Sequence, residues 1–176
     1  MSSIQDIHQN LAIGGMDTTN SINQDKQNGK GIEVWSDGSY YLGNFLEGVK
    51  EGHGIYFWAD GSKYSGKWQN DEMSGFGYFE WSDGRYFEGM FQNGVMHGYG
   101  NYVWQDGRRY EGYYRLNKKH GEGTYTYSDG SKYRGMWEDG IQHGYGSIID
   151  ADGIFERKGY WANGKPARWL NDDQQQ

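Results

Sequence analysis

Three histidines, His97, His120 and His143, recur at one position of a 23-residue phrase, and such a ladder invites a metal. Zinc ligands must all lie within about 2 Å of one ion, whereas neighbouring hairpins of a sheet stand about 10 Å apart, so the expectation is loop histidines and no metal. A second ladder, the Asp-Gly pairs at Asp37, Asp60, Asp83, Asp106, Asp129 and Asp152, suggests calcium. Calcium takes about six to eight oxygens and each site offers one carboxylate, so turn aspartates are the better account. Gly52-His53-Gly54 hints at a phosphate loop, but a dinucleotide fingerprint needs a third glycine and a following helix, and here Ile55-Tyr56-Phe57-Trp58 follows. The carboxylates Asp71 and Glu72 sit in a polar connection, where catalysis would require burial to shift a pKa. No local Ser, His and Asp constellation occurs, and cysteine is absent. No enzyme chemistry, cofactor or metal is expected.

Two features suggest binding instead. Arg108, Arg109, Arg115, Lys118 and Lys119 form a basic cluster that would suit phosphoinositide or acidic lipid, although Glu111 and Glu122 dilute it. The other is aromatic. Rings make up 18% of the 176 residues, and alternation places Tyr56, Trp58, Trp68, Phe79, Trp81, Phe91, Tyr102, Trp104, Tyr114, Tyr125 and Tyr127 on one face of successive strands. The other face carries residues such as Lys63, Ser65, Lys67, Glu88, Arg109, Glu111, Lys132 and Arg134, with only scattered apolar side chains. An apolar stripe that a single layer cannot cover predicts a groove for a protein partner, and these eleven rings are the expected partner-binding residues.

The elements that must position these rings are strands. Pairs of Gly-x-Gly begin at Gly29, Gly52, Gly75, Gly98, Gly121 and Gly144, and the interval to each Asp-Gly is constant. Period-two alternation on both sides of Asp-Gly predicts a tight hairpin, and the polar stretch from Gln69 to Ser74 predicts a longer return loop. The glycines at Gly43, Gly66, Gly89, Gly112 and Gly135 leave room for rings to lie over the backbone. In the sixth copy the glycine slips one place, to Gly159, and Arg157 stands where a tyrosine is expected. The expected fold is all-β, an elongated, twisted, single-layer antiparallel meander of six 23-residue hairpins advancing about 10 Å per repeat. Its organisation is a flexible polar tail over 1–28, the array over 29–168, and a C-terminal cap and tail over 169–176.

Thirty glycines and a net charge of −7 speak against a thick aliphatic core and against wholesale binding of nucleic acid. With no cysteine and no apolar run of about 20 residues, a soluble cytoplasmic protein is the expectation.

The phrases Tyr64-Ser65-Gly66-Lys67-Trp68, Gly-x-Gly and Asp-Gly resemble the MORN (membrane occupation and recognition nexus) repeat. The resemblance spans about residues 29 to 164 and implies hairpin ribbons that act as scaffolds in cytoskeletal, ciliary and membrane-contact structures. It implies a protein partner in a larger assembly, set in the cytoskeleton or cilium, with lipid contact as the alternative. MORN arrays fused to lipid kinases or a lysine methyltransferase are known, but about 28 residues before the array and a dozen after it are too few for an enzyme domain.

Overall fold

A computed structural model describes residues 27–170, which contain strands and turns and no helix. The expected tail over 1–28 lies almost wholly outside the described residues, as does the end of the chain after 170. The described residues form two compact units, the first ending at Ser82 and including Gln92–Gly94, the second comprising Asp83–Phe91 and the described residues from Val95 onward. The first contains β1 (Gly29–Val34), β2 (Tyr40–Leu46), β3 (Val49–Phe57), β4 (Lys63–Gln69) and β5 (Glu72–Glu80). The second contains β6 (Tyr86–Gln92, all but its last residue), β7 (Val95–Val103), β8 (Arg109–Arg115) and β9 (Lys118–Thr126). It continues with β10 (Lys132–Glu138), β11 (Ile141–Ile149), β12 (Glu156–Ala162) and β13 (Lys165–Trp169). Within each unit the strands lie in chain order and neighbours pair antiparallel, so the fold is the all-β meander of hairpins that the period predicts.

The Asp-Gly turns form as expected. At Trp58–Ser62 the Trp58 amide donates to the Ser62 carbonyl (2.9 Å), and Gly61 takes a φ of 91°. The Asp60 carboxylate accepts from the Ser62 amide at 2.8 Å, a side-chain turn that explains the preference for aspartate. In the sixth copy the turn runs from Asp150 to Phe155, one residue longer, with the Asp150 amide donating to the Phe155 carbonyl. That extra residue absorbs the slipped glycine: Gly159 still stands opposite Gly146.

The return connection differs from expectation. Instead of a loop from Gln69 to Ser74, β4 and β5 are joined by two residues, Asn70 (φ 48°) and Asp71 (φ 65°). Two successive positive φ values make a turn whose twist matches that of the strands, so pairing resumes at Glu72. Asn93-Gly94, Leu116-Asn117, Asp139-Gly140 and Asn163-Gly164 repeat it. From the second copy onward, the first glycine of each Gly-x-Gly therefore does not open a strand. Gly75 (φ 58°) lies inside β5, where the register with β4 shifts after the Gly66↔Gly77 pair.

That shift shapes the core. In β8 it frees the Tyr113 carbonyl from the ladder, and the Tyr110 hydroxyl donates to it at 3.0 Å. Tyr41, Tyr64 and Tyr133 do the same for Asn44, Lys67 and Met136. A tyrosine reaching back to its own strand must lie flat across the central glycine pair. A Cβ on Gly112 would stand 2.5 Å from the Gly123 Cα, so no side chain fits beneath the Tyr110 ring. Burial pushes the Tyr64 and Tyr133 hydroxyls up to about 12.

Candidate functional site: the aromatic face

The clasped tyrosines create a layer onto which the next aromatic of each strand stands edge-on. Tyr64 meets Trp68 at 5.2 Å in a T-shaped contact, and Tyr110 meets both Tyr114 and Trp137 at 5.2 Å. The Trp68 and Trp137 indole N–H groups donate to the carbonyls of Gly54 and Gly123 at 3.2 Å. This inner row is closed: Tyr64 and Tyr110 are fully buried, and Trp68, Phe91 and Tyr114 are 4 to 5% exposed.

Beside it, within each unit, runs an outer row at the strand ends preceding the Asp-Gly turns. In the first unit Trp58 packs between Tyr56 (4.5 Å) and Phe79 (5.0 Å), and Phe79 meets Trp81 at 4.5 Å. In the second, Trp104 contacts Tyr102 (4.3 Å) and Tyr125 (5.7 Å), and Tyr125 meets Tyr127. The eleven expected rings therefore divide. Trp68, Phe91, Tyr102 and Tyr114 are buried, whereas Tyr56, Trp58, Phe79, Trp81, Trp104, Tyr125 and Tyr127 keep part of their surface in solvent.

The remaining candidates take structural places. His97, His120 and His143 are not loop residues: each lies in a strand, β7, β9 and β11, because the short turns begin those strands early. Among the described residues no group of three His, Asp or Glu side chains could hold a metal ion. Asp71 belongs to a turn and accepts from the Lys50 amide at 2.8 Å. The basic cluster is largely neutralised. Arg108 pairs with Asp106 at 2.7 Å, Arg109 with Glu111, and Arg115 with Asp139 at 3.6 Å, while Lys119 turns into the aromatic face.

The opposite face is not as polar as the residue pattern predicts. In the second unit Tyr99 stands opposite Tyr113 and Tyr145 opposite Tyr160, all exposed. Tyr99, Tyr113 and Tyr145 line, with Met136, a shallow cleft of about 510 Å³ edged by Glu111, Arg134 and Lys158. Each is the middle residue of a Gly-x-Gly or the residue after a central glycine. Their signal in sequence was those two positions read together.

A face of stacked rings on a hairpin array defines a repeat module of a class whose repeats serve interactions with proteins or membranes. The chain belongs to the MORN repeat family, whose model matches residues 22–40, 41–63, 64–84, 87–108, 110–132 and 133–154. No curated protein matches it significantly. Among solved structures it is similar to the SAS-4 (dCPAP) TCP domain in complex with a proline-rich motif of Ana2 (dSTIL) from Drosophila melanogaster, at 12% identity. That match covers 88% of this chain and 100% of the other with a TM-score of 0.31.

Proposed function

We propose that the protein is a non-catalytic scaffold whose aromatic face binds a peptide or helix of a larger protein assembly, in a cytoplasmic setting of cytoskeletal or ciliary type. The observation that carries this reading is the outer row: large rings, ordered by mutual stacking, that remain part-exposed after the core is complete. Rings already held in place lose little freedom when a partner covers them, which favours binding. Lipid contact finds less support, because three of the five clustered cations are paired with carboxylates.

The test is affinity purification with wild-type chain and variants whose melting shows them folded. Trp81→Ala and Trp104→Ala reduce recovery of the protein partner by at least about tenfold, as loss of a buried aromatic contact does. Lys67→Ala and Arg134→Ala, on the opposite face, leave recovery within about twofold. The reverse ranking moves the interface to the other face. Salt-sensitive co-sedimentation with acidic vesicles would return the lipid reading to first place.

A further inference from the structure

Two lysines occupy the same repeat position and have different surroundings. Lys50, at the start of β3, has its ammonium 3.3 Å from Asp71 and 3.7 Å from Glu33, with its side chain 12% exposed. It also lies 4.9 Å from the centre of the Trp35 ring. Three repeats later Lys119 points the same way, its ammonium 4.4 Å from the centre of Tyr125, 4.7 Å from Trp137, 5.1 Å from Tyr110 and 5.4 Å from Trp104. Rings favour an ammonium, but a cation so enclosed ordinarily keeps a carboxylate as well.

Both carboxylates are missing. The position of Asp71 is held by Gly140 and that of Glu33 by Tyr102, and among the described residues no acidic side chain pairs with Lys119. The Arg108 guanidinium adds repulsion, and together with burial, the larger cause, it draws the amine down to about 8. Methionine stands at the same position in the two intervening repeats, as Met73 and Met96, so the fold does not require a charge there.

The space for a counter-ion is present. A Cβ at Gly140 would meet nothing within 4 Å, although the φ of 92° there favours glycine, so the space is open to a partner's group more readily than to a side chain of this residue. Open clefts of about 300 and 370 Å³ adjoin Lys119, the first walled by Tyr125, Trp137 and Gln142, the second by Trp104, Met96 and Gly140.

We infer that Lys119 receives an acidic residue, Asp or Glu, of the peptide segment bound by the aromatic face of the second unit, its carboxylate seated over Gly140 in the place that Asp71 takes beside Lys50. This rests on the groove reading above and names the partner's chemistry: a segment with one acidic residue among apolar ones. A carboxylate there completes the ion pair that Lys50 makes internally, and the surrounding rings shield it from water and salt.

The probe is a random dodecapeptide library displayed on phage and panned against the full chain, its Lys119→Met variant and its Trp104→Ala variant. Lys119→Met copies Met73 and Met96 and so keeps the fold. Wild type enriches peptides with an acidic residue at a fixed place among apolar ones, and Lys119→Met enriches the apolar pattern without the acid. For a selected peptide and its Glu→Gln twin, wild type prefers the acid by about tenfold in fluorescence titration and Lys119→Met by less than about twofold. Gly140→Asp, which places at Gly140 the residue that Asp71 supplies beside Lys50, abolishes the preference by supplying the carboxylate internally; because Gly140 has a φ of 92°, it is read only on protein whose melting shows it folded. Trp104-dependent peptides with no acidic preference overturn the Lys119 assignment and leave the groove reading standing. If no enriched peptide depends on Trp104, the groove reading fails and the assignment with it.

Discussion

Tyr110 and Tyr113 lie three residues apart in β8, on opposite faces, and the same side chain does opposite things. Tyr110 is fully buried, lies across Gly112 and Gly123, and donates its hydroxyl to the carbonyl that the bulge frees. Tyr113 is 51% exposed and meets Tyr99 edge-on at 5.4 Å. On one face, glycine removes the obstacle that would keep a ring off the backbone. On the other, Tyr113 makes no such clasp: its ring leans on Tyr99 and stays largely in solvent, although Gly121 adjoins it. Core and surface rings are thus distinguished by the clasp onto the central glycine pair, which Tyr110 makes and Tyr113 does not.

The largest expected effect follows from that contrast. Tyr110→Ala costs about 3 to 5 kcal/mol in urea unfolding, as for other buried aromatics, whereas Tyr113→Ala stays under about 1 kcal/mol. Gly112→Ala should approach the cost of Tyr110→Ala, since its Cβ meets backbone at 2.5 Å, which cannot swing aside. Equal costs for Tyr110→Ala and Tyr113→Ala would mean that the second face is core as well.

An intermediate effect concerns Lys119. Its folded pKa of about 8 lies below the ordinary 10.5, so between those values the unfolded chain binds more protons and stability rises with pH. The penalty is fully present below about pH 8 and gone above about 10.5. Lys119→Met therefore raises stability at pH 7, by on the order of 1 to 2 kcal/mol after the favourable contribution of the rings, and the gain shrinks over that window. The other ionisable groups about the amine, Tyr110, Tyr125 and Arg108, are common to both proteins and cancel in the difference. A gain that does not change with pH would show that packing, not charge, is the cause.

The smallest effect refines the clasp itself. Phe87 is the repeat's one ring at this position without a hydroxyl; Tyr41, Tyr64, Tyr110 and Tyr133 each make the hydrogen bond that it lacks. Phe87→Tyr should stabilise the protein by about 0.5 to 1 kcal/mol in thermal melts, and Tyr110→Phe should cost a similar amount.

The hairpins and the inner row were open to sequence reading because Asp-Gly and aromatic-x-Gly-x-aromatic keep their interval through five copies. The two-residue turns were not, because Glu47-Gly48, Asn70-Asp71 and Leu116-Asn117 obscure a signal that Asn93-Gly94 and Asn163-Gly164 state plainly. The bulge at Gly75 compounded this, since a glycine inside a strand looks like its beginning. The outer row was found as part of a larger set. Alternation assigns a face but not a depth, and only packing separates Trp68 from Trp58. The isolation of Lys119 needs three residues in different repeats, Lys119, Tyr102 and Gly140, compared with Lys50, Glu33 and Asp71.

The chain-order pairing of the second unit has a mechanical consequence. A meander pulled along its chain loads its ladder bonds one after another at a free edge, as in opening a zipper, so it yields at low force. Each hairpin that detaches releases 23 residues, about 75 Å of slack at full extension, before the next clasped tyrosine bears load. Such a unit lengthens under load in equal steps, counted in repeats, and re-forms from the strand that stayed in place.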